Sequence, residues 1–169
     1  MEQKNKKQTE EALAEIYRNA QLALTSIADI MPEVGDDEKL KEELHAQHES
    51  YEKFSASACM IARDLDIELK EPNPMKKAMM WGSIKMSTMK DNSRSHIAEM
   101  MVQGTTMGIT ALRRTAGELT ESGDERIHAL IKEMIEREED FEKRWKRYLY
   151  IALGFYKIEA GEKPLLFIC

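Results

Sequence analysis

Apolar residues recur along most of this chain at the three- and four-residue spacing that lines one side of an α-helix. From about Thr9 to Met31, Leu13, Ile16, Ala20, Leu24, Ile27 and Met31 share a side. From about Asp37 to Leu69 the same holds for Leu40, Leu44, Tyr51, Phe54, Ala58, Ile61 and Leu65. The last such segment, about Glu125 to Lys157, carries Ile127, Ile131, Met134, Phe141, Trp145, Tyr148 and Ala152. Between them, from Met75 to about Ala116, the residues Met75, Met79, Met86, Met89, Ile97, Met100, Gly104, Met107 and Ala111 keep one angular phase. Asp91-Asn92-Ser93 interrupts this stretch by propensity, but a loop would lose the register. The pattern therefore predicts one long third helix, with a kink at most near Asn92.

Turn residues fall between these segments, at Pro32 to Asp37, Pro72-Asn73-Pro74 and Thr120 to Asp124, each offering an N-cap to the helix that follows. Strand signals are sparse, and the strong helix formers Ala, Glu, Lys, Met and Leu dominate. Four helices joined by short connections predict an all-α, antiparallel four-helix bundle in up-down-up-down order over residues 1–158. Residues 159–169 end in Lys163-Pro164-Leu165-Leu166-Phe167-Ile168-Cys169, a tail too apolar for water and expected to pack on the bundle or on a partner subunit.

Charge and cysteine usage narrow the function. The 25 Lys and Arg stand against 31 Asp and Glu, a net charge of -6, with no basic stripe that would suit nucleic acid. Cys59 and Cys169 make neither a disulfide framework nor a zinc spacing, which fits a reducing cytoplasm. Met1 to Lys7 has no apolar core behind it and no apolar run approaches the roughly 18 residues of a membrane span, so neither secretion nor membrane insertion is expected. No phosphate loop, nucleophile elbow or dinucleotide fingerprint occurs, and no catalytic residue is assigned.

Two stretches, Met75 to Met86 (MKKAMMWGSIKM) and His96 to Ile109 (HIAEMMVQGTTMGI), resemble an uncharacterised bacterial group with the ferritin-like bundle; the likeness covers most of Glu10 to Leu149. It implies fold more than chemistry. Di-iron members of that fold use two Glu-x-x-His motifs with further Glu ligands. Here Glu42 with His45 and Glu125 with His128 have that spacing, but Glu42 and His45 project away from the apolar side of their helix. Antiparallel pairing puts His45 at the height of Glu138, ten residues or about 15 Å from His128. No Glu lies between Ile16 and Pro32 to complete either set. An intact di-iron site is therefore not expected.

Other residues raise narrower possibilities. His48 and His96 fall at about one height, with Asn19, Glu52 and Glu99 near. His48, Glu52, His96 and Glu99 are the candidate ligands if iron, zinc or manganese is bound; the alternative is two boundary histidines and no cofactor. Glu138 occupies a core position between Met134 and Phe141, so its carboxyl must be paired, hydrogen-bonded or protonated. Gln103 is the expected partner in a buried polar layer, with Thr25 or Ser26 opposite. The 12 methionines suit adaptable packing better than copper(I) transport. Cys59 reads as a small buried hydrophobe, and Gly104 and Gly108 as points of close helix approach.

Helix lengths point to a partner. A first helix of about 23 residues, about 35 Å, cannot cover a third of about 42 residues, about 63 Å. Met75, Met79, Met80, Trp81, Ile61 and Leu65 should then line an apolar groove, closed by the tail or by a second copy in a homodimer. Three functions follow. The first is a non-catalytic structural or protein-interaction module. The others are a metal-binding ferritin relative using His48 and His96, and a small-ligand carrier with a core pocket near Glu138.

Overall fold

Each turn of the chain is fixed by a short polar side chain that takes up the first free backbone amides of a helix. The computed structural model describes residues 2–120 and 123–152, which form five α-helices, α1 (Glu2–Ile30), α2 (Glu38–Asp64), α3 (Pro74–Lys90), α4 (Arg94–Glu118) and α5 (Glu125–Ala152), with a 3-10 turn at Met31–Val34 and no strand among them. Asp37 accepts from the Leu40 amide at 3.3 Å, Asn73 from Met75 at 2.8 Å, Ser93 from His96 at 3.3 Å and Asp124 from Arg126 at 2.9 Å. These caps replace intrahelical bonds that the first turn cannot make. At the end of α2 the chain turns through Asp66 at φ 54°, with the Ile67 amide on the Ala62 carbonyl at 2.8 Å and that of Asp66 on Arg63 at 3.2 Å. That pair of bonds closes α2, earlier than the Leu69 expected.

The long third helix of the sequence pattern is two helices. Asp91 is extended, at φ −154° and ψ 117°, and its carboxylate accepts from the Ser93 amide at 2.8 Å before Ser93 caps α4. The continuous methionine phase belongs to the wrong side: Met75, Met79, Met86, Met89 and Met107 are exposed. The buried side of α4 is Ile97, Ala98, Met101, Thr105, Ile109, Leu112 and Thr115. A shared outward phase therefore masked a real break.

Core residues come chiefly from α1, α2, α4 and α5, while α3 contributes Ile84 and Thr88. Pairing across the helices sets their directions. Gln8 donates to the Glu118 carbonyl at 2.7 Å, and Asn19 lies beside Gly108, so α1 and α4 are antiparallel. Thr106 with Glu142 at 2.7 Å, and Arg113 with Glu139, make α4 and α5 antiparallel. Glu43 with Arg144 at 3.3 Å, Tyr51 with Glu138 at 3.2 Å and Asp64 with Arg126 at 3.0 Å do the same for α2 and α5. The short turn after α1 reverses the chain into α2, where Gln21 donates to Ser55 at 2.8 Å. The helices α2 and α4 thus run the same way, and simple up-down-up-down order among the four core helices is corrected. Between them α3 carries the chain back along α1, tied by Ser26 to Met80 at 3.1 Å and by Glu33 to Lys85.

The overhang also disappears. Helix α1 has 29 residues and α3 only 17, so α1 is the longer of the two. Ile61 is buried, and Met80 and Leu65 pack against the core, so the predicted groove does not form. Residues beyond Ala152, including the end of the predicted fourth helix and the 159–169 tail, lie outside the described residues. No helix among the described residues is long and apolar enough to cross a membrane.

Candidate functional site

Glu138 is the most unusual residue of the core. On α5 it follows Met134 by one turn and precedes Phe141 and Trp145, all three buried, so the helical period carries it inward with them. Its exposure is 0 %. The Tyr51 hydroxyl, from α2, donates to Oε1 at 3.2 Å, and the Tyr51 ring lies 6.0 Å from that of Phe141. The other oxygen, Oε2, has no hydrogen-bond partner in the protein. Gly108 on α4 makes the room: a Cβ there would sit 2.7 Å from Oε2 and 3.0 Å from Oε1 of Glu138. Asn19 on α1 approaches the same point, its Nδ2 at 3.0 Å and also without a partner. Gln47, one turn before Tyr51, is fully buried with neither amide atom bonded, and the Trp145 Nε1 is unbonded as well.

A carboxylate without a cation in such a place is costly, and the proton is retained instead. Burial pushes the Glu138 carboxyl up to about 8, against a smaller downward pull from the Tyr51 hydroxyl. Burial and the adjoining carboxyl hold the Tyr51 phenol well above its ordinary range. The layer is therefore a set of neutral donors and acceptors near pH 7, with one acid that titrates close to neutrality.

The expected partners of Glu138 are corrected. Gln103 is exposed, and Thr25 and Ser26 donate to carbonyls of their own helix. Tyr51, Asn19 and Gly108 take their place. Tyr51 lies six residues from His45, the position that turn counting aligned with Glu138, an axial error of about 9 Å. The signal was present in the pattern, since Tyr51 was on the buried side of its helix and carries a hydroxyl that needs a partner. Gly108 is a point of close approach, whereas Gly104 faces open space. Cys59 is exposed rather than buried, one residue around the helix from the buried Ala58.

The candidate metal ligands are found elsewhere. His48 Nδ1 lies 3.7 Å from Glu52, and His96 Nδ1 3.8 Å from Glu99, each pair along one helix. His96 Nε2 is 2.7 Å from the Ser87 hydroxyl and so ties α4 to the end of α3. Among the described residues no three His, Cys, Asp or Glu side chains gather as an ion would require. Glu42, His45 and Glu125 are exposed, and His128 Nε2 lies 3.0 Å from the Thr120 carbonyl. Because Glu43 pairs with Arg144 and Asp64 with Arg126, His45 and His128 sit toward opposite ends of the α2–α5 contact. No family model matches this chain, and no curated protein or solved structure matches it.

A second feature lies on the outside. With 100° between successive residues, Met75, Met79, Met86 and Met89 of α3 fall within an arc of about 80°. That arc is opposite the buried Ile84 and Thr88. Their exposures are 70, 70, 61 and 84 %. Four lysines, Lys76, Lys77, Lys85 and Lys90, are the only charged residues of α3. Lys77 pairs with Glu71 and Lys85 with Glu33, and Trp81, also exposed, lies about 80° outside the arc.

Proposed function

We propose that this chain is a non-catalytic, ferritin-like four-helix bundle that works as a protein-interaction module, docking an acidic amphipathic helix of another protein on the outward face of α3. The methionine arc carries this reading. Large apolar side chains gathered on the solvent side of a helix mark a contact surface, and methionine repacks against differently shaped partners. The ties of α3 to α1 and α4 hold the face in place, which keeps the ordering cost of docking low.

Size and charge select the occupant. The face is about 26 Å long and one helix wide, well short of the roughly 800 Å² per partner of a stable globular interface, and it suits a single helix with anchors at three- and four-residue spacing. All 31 acidic residues of the chain lie outside α3, and Lys76 and Lys90 lie along one side of its methionine arc, so an acidic partner is complementary there. The homodimer through Met75, Met79, Met80 and Trp81 is the second form of this reading. A two-fold antiparallel pairing of α3 with itself sets lysine flank on lysine flank, which disfavours it.

The ferritin-like assignment rests on the resemblance of Met75 to Met86 and His96 to Ile109, and on the single crossover between α2 and α4, a connection ferritin-like bundles use. A metal-binding role would need His48 and His96 on one ion, and each keeps a carboxylate of its own helix as its neighbour. The test is fluorescence anisotropy with a labelled synthetic helix bearing leucines on one face and glutamates on its flanks. Saturable binding lost in Met79→Glu/Met86→Glu, with the melting temperature unchanged, is expected. Equal binding by that variant would overturn the reading, and a dimer mass in light scattering would replace the separate partner by a second copy.

A further inference from the structure

The layer at Glu138 does more than fill the core. We propose that Glu138, Asn19 and Gly108 form a proton-operated latch: with the Glu138 carboxyl protonated, α1, α4 and α5 close around it, and on losing that proton the α4–α5 contact opens to admit water.

Geometry carries the latch. Oε1 is occupied by the Tyr51 hydroxyl, so the acidic proton belongs on Oε2, the unbonded oxygen beside Gly108, where the Asn19 amide, unbonded as well, approaches the same point. The Asn19 amide carries an acceptor and two donors. Turned one way it accepts the Oε2 proton, and turned the other way it donates to the ionised oxygen. Gly108 leaves the carboxyl against the α4 backbone with no side chain to shield a charge. The groups that face Glu138 are Asn19 from α1, Tyr51 from α2 and Gly108 from α4, and of these Tyr51 alone titrates. Charged residues of α4 and α5 are engaged elsewhere, Arg113 with Glu139, Glu142 with Thr106, and Arg144 with Glu43 and Asp140. Among the described residues no cation is paired with Glu138, so water must enter to solvate a carboxylate there. Because burial raises this acid to about 8, the change falls within the range of ordinary cellular pH.

Hydrogen exchange of the full chain, corrected for intrinsic rates, tests the latch. Between pH 5.5 and 7.5 the opening constant for amides of α4 and α5 flanking Gly108 and Glu138 should rise by up to about tenfold per pH unit, because the opened state ionises where the closed state does not. Glu138→Gln should abolish the rise. An equal rise in that variant, or none in the wild type, would overturn the proposal. Should Glu138→Gln fail to fold, carboxyl-carbon NMR of the wild-type protein decides alone. One glutamate titrating far above the others supports the latch, and every glutamate titrating below pH 6 contradicts it.

Discussion

The Cα of Gly108 and the carboxyl of Glu138 share a space that cannot hold one more carbon: an added Cβ would meet Oε2 at 2.7 Å and Oε1 at 3.0 Å. The oxygens end a side chain that is itself fully buried, so they have little room to retreat. Gly108→Ala should cost about 1–3 kcal/mol, the usual penalty of overpacking a filled core. Shortening the facing side chain, as Glu138→Ala, should recover much of that loss in the double variant. Urea denaturation of the four proteins checks it, and additive losses would show that the two positions do not share the space.

Tyr51 holds the other side of the same carboxyl. Tyr51→Phe removes the donor to Oε1 and leaves a buried oxygen with no replacement, at a cost of about 1–3 kcal/mol. The hydroxyl also favours the ionised form, so its loss moves the Glu138 titration upward in pH. The sign for stability follows from linkage. An acid raised to about 8 in the folded state stabilises fully below its ordinary value, and that contribution is lost as pH rises toward 8. Stability of the wild type should therefore fall between pH 5 and 8, and in Tyr51→Phe the fall should continue to higher pH. Melting curves across that range measure both, and stability that rises with pH in the wild type would contradict the assignment.

The break between α3 and α4 depends on Ser93, whose hydroxyl caps α4 through the His96 amide. Ser93→Ala should lower stability by about 1 kcal/mol. Ser93→Asp should keep that stability, because a carboxylate serves equally well as a cap. A melting temperature unmoved by Ser93→Ala would mean that the Asp91 turn alone sets the break.

Much of this architecture is readable along the chain, and the failures have physical causes. The inward stripes of α1, α2 and α5 follow the expected periods closely, because Leu13, Leu44 and Trp145 have no other place to go. The third segment misleads because methionine at helical register reads as core. Met107 at 74 % exposure shows that the same residue type serves a solvent face. Glu138 stands out in the pattern as a polar residue in an apolar slot, and its side chain is fully buried. Its partners are not legible in the sequence because turn lengths do not fix relative height. An error of six residues in aligning α2 with α5 moved the pairing from Tyr51 to His45. The interior height of Asn19 and Gly108 depends on three-dimensional packing and leaves no local mark in the sequence.

The outward methionines of α3 are the proposed contact surface. Methyl NMR with carbon-13-labelled methionine, during titration with the acidic amphipathic helix, tests it most directly. The signals of Met75, Met79, Met86 and Met89 should shift together and saturate, while the exposed Met60 on α2 and Met107 on α4 stay in place. No shift in the α3 signals, or equal shifts at Met60 and Met107, would contradict the account.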